Sequence, residues 1–493
     1  MTQASLPVAI IGGGPVGLAA AAELLARDVT PLVLEAGPAV GQNIRQWSHV
    51  GMFTPWRYCI DRAAEVLLAS HGWSHPPRDE VPSGADLVAR YLEPLAEILA
   101  PYIDLNARVT AVTRRNSDKV RTAGRESLPF LLRVAGADGR VRRIEARAVI
   151  DASGTWGTPN PMGADGLPAI GEEKVAERIT TGIPDVLGGD RARYTGKTVA
   201  VVGSGHSALN VLIELAALRR QAPGTEIFWL LRKERIEAAF GGEAADALPE
   251  RGALGSQARA LVESGAVKAV TPFRIVEIVR EMAHLLIKGD HADQPASLAA
   301  DEIIVTTGFR PDFSMLREIR LTLDPWLESS GTLGPLIDPN LHSCGTVRPH
   351  GALELAHQEP NFFIAGMKSY GRAPTFLLAT GHEQVRSIAA ALTGDHEASA
   401  RVELDLPETG VCSARPANLE AAAASACCTT ETSQGVCCSP KAELPADAPC
   451  CGVIAQPVIE PAGASTATSC CARPTPAKET ASACCAVPEQ AAS

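Results

Sequence analysis

Two short stretches of the same design constrain this chain more than anything else in it. The first, "VAIIGGGPVGLAAAAELL", is an all-apolar strand over Val8–Ile11, a glycine turn, then a run of helix formers. Gly12, Gly14 and Gly17 fall on the spacing G-x-G-x-x-G. In that pattern the first glycine permits a tight turn, the second lets a pyrophosphate approach the backbone, and the third lets helix pack closely on strand. The N–H groups at the helix start then face the phosphates. A following strand, "PLVLEAG", ends in Glu35, 18 residues beyond Gly17, where a carboxylate accepts hydrogen bonds from a ribose diol. The second stretch, "KTVAVVGSGHSALNVLIELA", repeats the plan with Gly203, Gly205 and Ala208 as G-x-G-x-x-A. Its next strand, "EIFWLLRKE", ends differently: Leu231 stands where an acid would sit, and Arg232 and Lys233 follow. Cations there suit a 2′-phosphate, so NADPH is expected over NADH. His206, inside the second turn, reads as a surface side chain and not as a catalytic base.

Strands alternating with helix-like stretches predict an α/β fold. One dinucleotide-binding domain is expected over residues 1–165 and 301–395, a second, inserted, over 195–300, and a disordered tail over 400–493. The net charge of -11 argues against a nucleic-acid partner, which requires a basic surface. The arginine-dense stretch Arg114–Arg147 also holds Asp118, Glu126, Asp138 and Glu145, and reads as the solvated face of a hairpin. The apolar opening lacks a basic segment before it, and no run reaches the ~18 residues that span a bilayer. A cytoplasmic location with reduced cysteines is expected, and no membrane partner.

From about residue 400 the chain becomes rich in Ala, Pro, Ser, Thr and Glu, and its last aromatic residue is Phe376. Such a segment cannot bury enough apolar surface to offset its ordering entropy. Yet it carries Cys427-Cys428, Cys437-Cys438, Cys450-Cys451, Cys470-Cys471 and Cys484-Cys485, with a lone Cys412 upstream. Adjacent cysteines close only a strained disulfide ring. Two neighbouring thiolates suit a soft thiophile instead. Trivalent arsenic or antimony takes three sulfurs, so one pair and a third cysteine complete a site. These ten paired cysteines are the expected metalloid ligands.

Beyond the glycine turns, residues 6–395 resemble the two-domain flavoproteins that bind FAD and NAD(P)H. "VIDASGTWGTPNP" (Val149–Pro161) is similar to the first chain crossing of flavin-containing monooxygenases and related Baeyer–Villiger enzymes, and "DEIIVTTGFRPD" (Asp301–Asp312) to the second. "NFFIAGMKSYGRAPTFLLATGHEQ" (Asn361–Gln384) resembles their closing FAD segment. The stretch "VGQNIRQWSHVGMFTPWRYCID" is similar to flavoproteins of bacterial arsenic-resistance clusters. The resemblance implies FAD in the first domain, NADPH in the second, and Gln42, Gly154, Gly308 and Gly366 at the cofactors. Two departures bear on mechanism. The monooxygenase fingerprint F-x-G-x-x-x-H is missing between Pro161 and Lys197, and the core has no C-x-x-C or C-x-x-x-x-C.

Cys59 falls where single-cysteine flavin peroxidases and coenzyme A disulfide reductases carry their reactive sulfur; the other reading is a small packed hydrophobe. His342, Cys344, His350 and His357 match no zinc spacing. The sequence thus predicts an FAD-dependent NADPH oxidoreductase, monooxygenase-like, acting on a small molecule or metalloid. Two rivals stay open: a flavoprotein sensor or metalloid buffer, and a thiol/disulfide reductase using the tail cysteines. No acid or base is assigned, and oligomeric state is open.

Overall fold

A computed structural model describes residues 5–246, 248–342, 348–374 and 376–404; the tail cysteines and Cys344 lie outside them. In chain order the strands are β1 (Val8–Ile11), β2 (Pro31–Leu34), β3 (Ile103–Asp104), β4 (Arg108–Arg114), β5 (Phe130–Ala135), β6 (Val141–Ala146), β7 (Ala148–Asp151) and β8 (Ile179–Thr181). There follow β9 (Thr198–Val202), β10 (Glu226–Leu230), β11 (Lys268–Val270), β12 (Phe273–Glu281), β13 (His284–His291), β14 (Gln294–Ala300), β15 (Glu302–Val305) and β16 (Phe362–Ile364).

One parallel sheet has the order β16-β7-β1-β2-β3, and a second the order β11-β10-β9-β15-β8. Their central strands are short, mainly apolar runs because both faces are covered. In the first sheet Val8, Ile10, Val33 and Ile150 pack with the helices Pro15–Leu25 and Leu378–Leu392. The alternate residues Ala9, Ile11, Leu34 and Val149 pack on the antiparallel sheet β4-β5-β6. The second sheet repeats this design. Val199, Val201, Ile227 and Ile304 face the helix His206–Gln221, while Ala200, Val202, Leu230 and Ile303 face β12-β13-β14. No helix among the described residues is long and apolar enough to cross a membrane.

Three expectations need adjustment. The second sheet takes in β8 and β15, which flank the expected span 195–300, because both continue its hydrogen-bonded ladder. The folded chain also runs past residue 395. A short helix, His396–Ala400, follows, with Arg386 donating to Ala398 O (2.8 Å) and Glu403 N–H donating to Glu383 Oε1 (3.2 Å). Finally, the basic stretch is not uniformly solvated. Arg114 and Arg125 are buried and share one acceptor, Glu359. Arg114 Nε lies 2.8 Å from Glu359 Oε1, and Arg125 Nη2 lies 2.8 Å from Oε2. The Arg114 guanidinium also lies over the Phe130 ring at 3.6 Å. Two positive charges and one carboxylate thus join the antiparallel sheet to the loop before β16.

Candidate functional site

Both glycine turns open into one cavity of about 1010 Å³. At the first turn a Cβ added to Gly17 would lie 1.9 Å from Gly12 O, so helix and strand approach as closely there as the spacing predicts. At the second, Gly203 has φ +131° and an added Cβ would lie 2.5 Å from Thr306 O. The buried Trp229 fixes that turn by donating from Nε1 to Gly203 O (2.7 Å). Ala208 is buried against the same core. Gly14, Gly154 and Gly205 differ from these: an added Cβ would meet no protein atom within 4 Å, and all three line the cavity. The backbone there is bare toward a space that a dinucleotide can fill, which is what FAD and NADP(H) require.

Glu35 also lines the cavity, and both its oxygens are in use. Oε2 accepts from Gly13 N (2.6 Å) and Oε1 from Gly37 N (2.7 Å). The carboxylate therefore shapes the glycine turn itself, and its remaining lone pairs face the cavity side of that turn. Gln42 and Gly308 line the cavity too, and so does Gly366, whose N–H donates to Gln384 Oε1 (2.8 Å). Glu35→Ala should lower FAD affinity tenfold or more, since a hydrogen bond to a charged group contributes about 1.5–3 kcal/mol. FAD content after gel filtration measures this; undiminished FAD would remove Glu35 from the site.

On the other side Arg232 is exposed and lines the cavity, with Nη1 3.3 Å from Ala164 O. Lys233 also lines it, donating from Nζ to Ala238 O at 2.8 Å. His206 departs from its surface expectation. It sits in the cavity wall with its ring 5.4 Å from that of Phe53. Burial, aided by the Arg251 charge, shifts its pKa down from the ordinary histidine value.

The two chain crossings run side by side. Asn160 N–H donates to Gly308 O (2.9 Å), Arg310 N–H to Thr158 O (2.9 Å), and Thr307 Oγ1 to Asn160 O (2.8 Å). Trp156 and Phe309, one from each crossing, stack at 4.7 Å, and Trp156 Nε1 donates to Gln46 Oε1 (2.9 Å). Sequence reasoning did not single out these aromatic pairs. The aromatic residues were visible in both crossings, but their pairing is set by contacts about 150 residues apart along the chain.

Cys59 does not reach the cavity wall. It is fully buried, its Sγ faces Thr54 O and Pro55 O at 3.5 Å, and burial pushes its thiol up to about 11. A redox sulfur needs accessible thiolate, so the packed reading holds. Among the described residues no His/Cys/Asp/Glu group could hold a metal ion. His350 and His357 are pushed down to about 4 by burial, which suits neutral packed rings.

Comparison with known proteins accords with this geometry. The family model described as pyridine nucleotide-disulphide oxidoreductase matches residues 6–330. The chain is 24% identical over 344 residues to ferredoxin–NADP reductase 2 of Latilactobacillus sakei, covering 69% of this chain and 84% of the relative. Among solved structures, the bacillithiol disulfide reductase Bdr of Bacillus cereus superposes with a TM-score of 0.60 at 20% identity, over 79% of this chain and 99% of that one. DfoA, the cadaverine monooxygenase of Erwinia amylovora, bound to FAD, gives 0.55 at 13% identity, over 82% and 98%. These two share the fold while differing in reaction. FAD and NADP(H), the cofactors expected from the sequence, are those of the pyridine nucleotide-disulphide oxidoreductase family, to which this chain belongs.

Proposed function

We propose that the protein is a monooxygenase-like FAD enzyme that oxidises NADPH, with a tail that captures As(III) or Sb(III) and delivers it as the substrate. The observation that carries this reading is the cavity common to both nucleotide turns, combined with the cysteine placement. Among the described residues Cys59 is the one free cysteine, and it is buried away from the cavity. No dithiol lies among those residues, and the tail cysteines, which lie outside them, are read here as metalloid ligands, so oxygen or a substrate is taken as the acceptor. Bound FAD supplies the two-electron redox chemistry, and the protein supplies position and environment. The turns at Gly12–Gly14 and Gly203–Gly205 hold the pyrophosphates. Arg232 and Lys233 read the 2′-phosphate. The stacked Trp156 and Phe309 and the Phe53–His206 pair narrow the cavity and exclude water. In the tail, each cysteine doublet offers two thiolates and a further cysteine the third, matching a trivalent metalloid.

The deciding experiment is anaerobic mixing with NADPH followed by oxygen. Bleaching of the flavin, then arsenite-stimulated oxygen uptake, is expected; a flavin that NADPH does not reduce would leave a sensor or buffer. Arg232→Ala should raise the KM for NADPH about tenfold or more, the loss of one charge-assisted contact. The KM for NADH should stay unchanged; equal effects on both would show that Arg232 does not read the phosphate.

A further inference from the structure

The segment after β16 carries two cations in opposite circumstances. Lys368 is buried and paired, donating from Nζ to Asp151 Oδ2 (2.7 Å), and Asp151 is the last residue of β7. Four residues on, Arg372 is exposed and lines the cavity. Its guanidinium has no hydrogen-bond or ion-pair partner among the described residues. Its backbone is nonetheless held from two sides. Gly371 has φ +60° and ψ −115°, and an added Cβ would lie 2.1 Å from Leu327 O, so only glycine fits before it. The Arg372 N–H donates to that same carbonyl at 2.7 Å. The residue after Leu327, Glu328, has φ +56°, a left-handed conformation that is uncommon for glutamate. Arg310, from the second crossing, pairs with Glu328 and donates from Nε to its Oε2 at 3.2 Å. Such backbone exceptions persist only where the surroundings over-determine them, and they gather at ligand sites. Here two of them fix the place of one arginine.

Among the described residues the arginines and lysines that line the cavity are Arg232, Lys233 and Arg372, and the one carboxylate is Glu35. Both Glu35 oxygens already accept from backbone N–H groups, at Gly13 and Gly37. With the pyrophosphates on the two glycine turns and the 2′-phosphate on Arg232 and Lys233, each cofactor anion has its site. Arg372 stands on the other half and is left over. A guanidinium presents a planar fork of donors that matches carboxylate and tetrahedral oxyanions. The other lining residues of its stretch, among them Met367, Pro374 and Phe376, are apolar or small. An anion is therefore the charged group that this part of the wall can recognise.

We propose that Arg372 binds the oxyanion group of a small molecule, substrate or product, that enters the cavity beside the cofactors. This rests on the two turns and the Arg232–Lys233 pair holding the cofactor phosphates, and not on a metalloid as substrate. Two sources share the chemistry. One is the carboxylate of an organic acid. The other is a pentavalent metalloid: arsenous acid, dioxygen, NADPH and a proton give arsenic acid, water and NADP+. The acid formed is an anion at neutral pH, and the acid consumed is not.

The test is calorimetric titration of the full-length, FAD-loaded protein with phosphate, arsenate and benzoate at fixed ionic strength. NADP+ is kept saturating, so that the 2′-phosphate pocket is filled. At least one of the anions should bind saturably. Arg372→Gln should weaken that binding about tenfold or more, the loss of one charge-assisted contact. The variant changes an exposed side chain, so it should fold and keep its FAD. Binding of phosphate and arsenate without benzoate assigns the site to a tetrahedral product; binding of benzoate assigns it to an organic acid. No saturable binding in the parent, or binding that Arg372→Gln leaves unchanged, would overturn the proposal. So would a variant that loses FAD or NADP+ affinity, because the arginine would then serve a cofactor phosphate. An Arg372-dependent site in a protein whose turnover arsenite does not stimulate would count against the metalloid substrate alone.

Discussion

A protein ending at Leu404 should bind no arsenite or antimonite at high stoichiometry, whereas the full chain should bind several equivalents under reducing conditions. Eleven of the thirteen cysteines lie beyond that point, leaving Cys59 and Cys344. Cys59 cannot substitute, because its thiol is buried and pushed up to about 11. The position of the cut matters. Arg386 donates to the carbonyls of Ala398 and Arg401 and pairs with Glu403, so a cut at 400 would strip contacts from a buried guanidinium. Ending at Leu404 keeps them, and flavin content and thermal stability should then match the full chain. Turnover at low arsenite should fall, since tethering a ligand raises its effective concentration to around the millimolar range. Equilibrium dialysis against arsenite settles the binding. A full chain that binds none in the presence of reductant would sink the chelation reading.

Glu359→Ala should lower the stability of the folded core by about 3–5 kcal/mol, the usual loss when one partner of a buried ionic group is removed. Arg114 and Arg125 would both stay buried with no carboxylate between them. The same group predicts a pH dependence. Burial pushes the Glu359 carboxyl up, but the bonds from Arg125 and Arg114, together with their charges, outweigh it and hold the pKa below the ordinary glutamate value. A carboxyl depressed in the folded state contributes stability that is fully present above its unfolded pKa, near 4.3, and is lost as pH falls through the folded value. Chemical denaturation at pH 7 and in the acid range, compared with Glu359→Gln, measures both. The gap between wild type and the Gln variant should narrow below about pH 4. A gap constant across that range would show that the carboxylate charge is not what holds the two arginines.

What the sequence displayed and what it hid divide along range of contact. The glycine turns, the apolar strands and the helices after them are local patterns, and they predicted both parallel sheets and the carboxylate at Glu35. Arg114 was hidden because its partner Glu359 lies 245 residues away. A cluster of arginines interspersed with acids looks solvated until one acid far along the chain claims two of them. His206 was misread for a similar reason, since Phe53, which covers it, belongs to the other nucleotide-binding half. Asp151 and Lys368 did leave a trace. Asp151 ends an otherwise apolar strand, and Lys368 stands two residues after Gly366 in an apolar neighbourhood. A lone acid and a lone base, each in buried surroundings, are candidates for each other. The domain limits were blurred because β8 and β15 join their sheet by pairing with distant strands, which leaves no mark in their own residues.

The hydrogen bonds between the two crossings make the nucleotide half a cassette. Residues 160 and 308 are the two ends of an insertion nearly 150 residues long, yet they touch through a bond of 2.9 Å. For the surrounding half built on the first sheet, the insertion is a long excursion that leaves and returns at one point. Loop-closure entropy grows only with the logarithm of loop length, so the size of the excursion weighs little on the half that hosts it. A homologous nucleotide domain cut at the same two positions should therefore be exchangeable for this one, and a chimera that folds and retains FAD would show it. The coenzyme preference would then travel with the cassette, while Glu35, Gly154 and Gly366 stay behind.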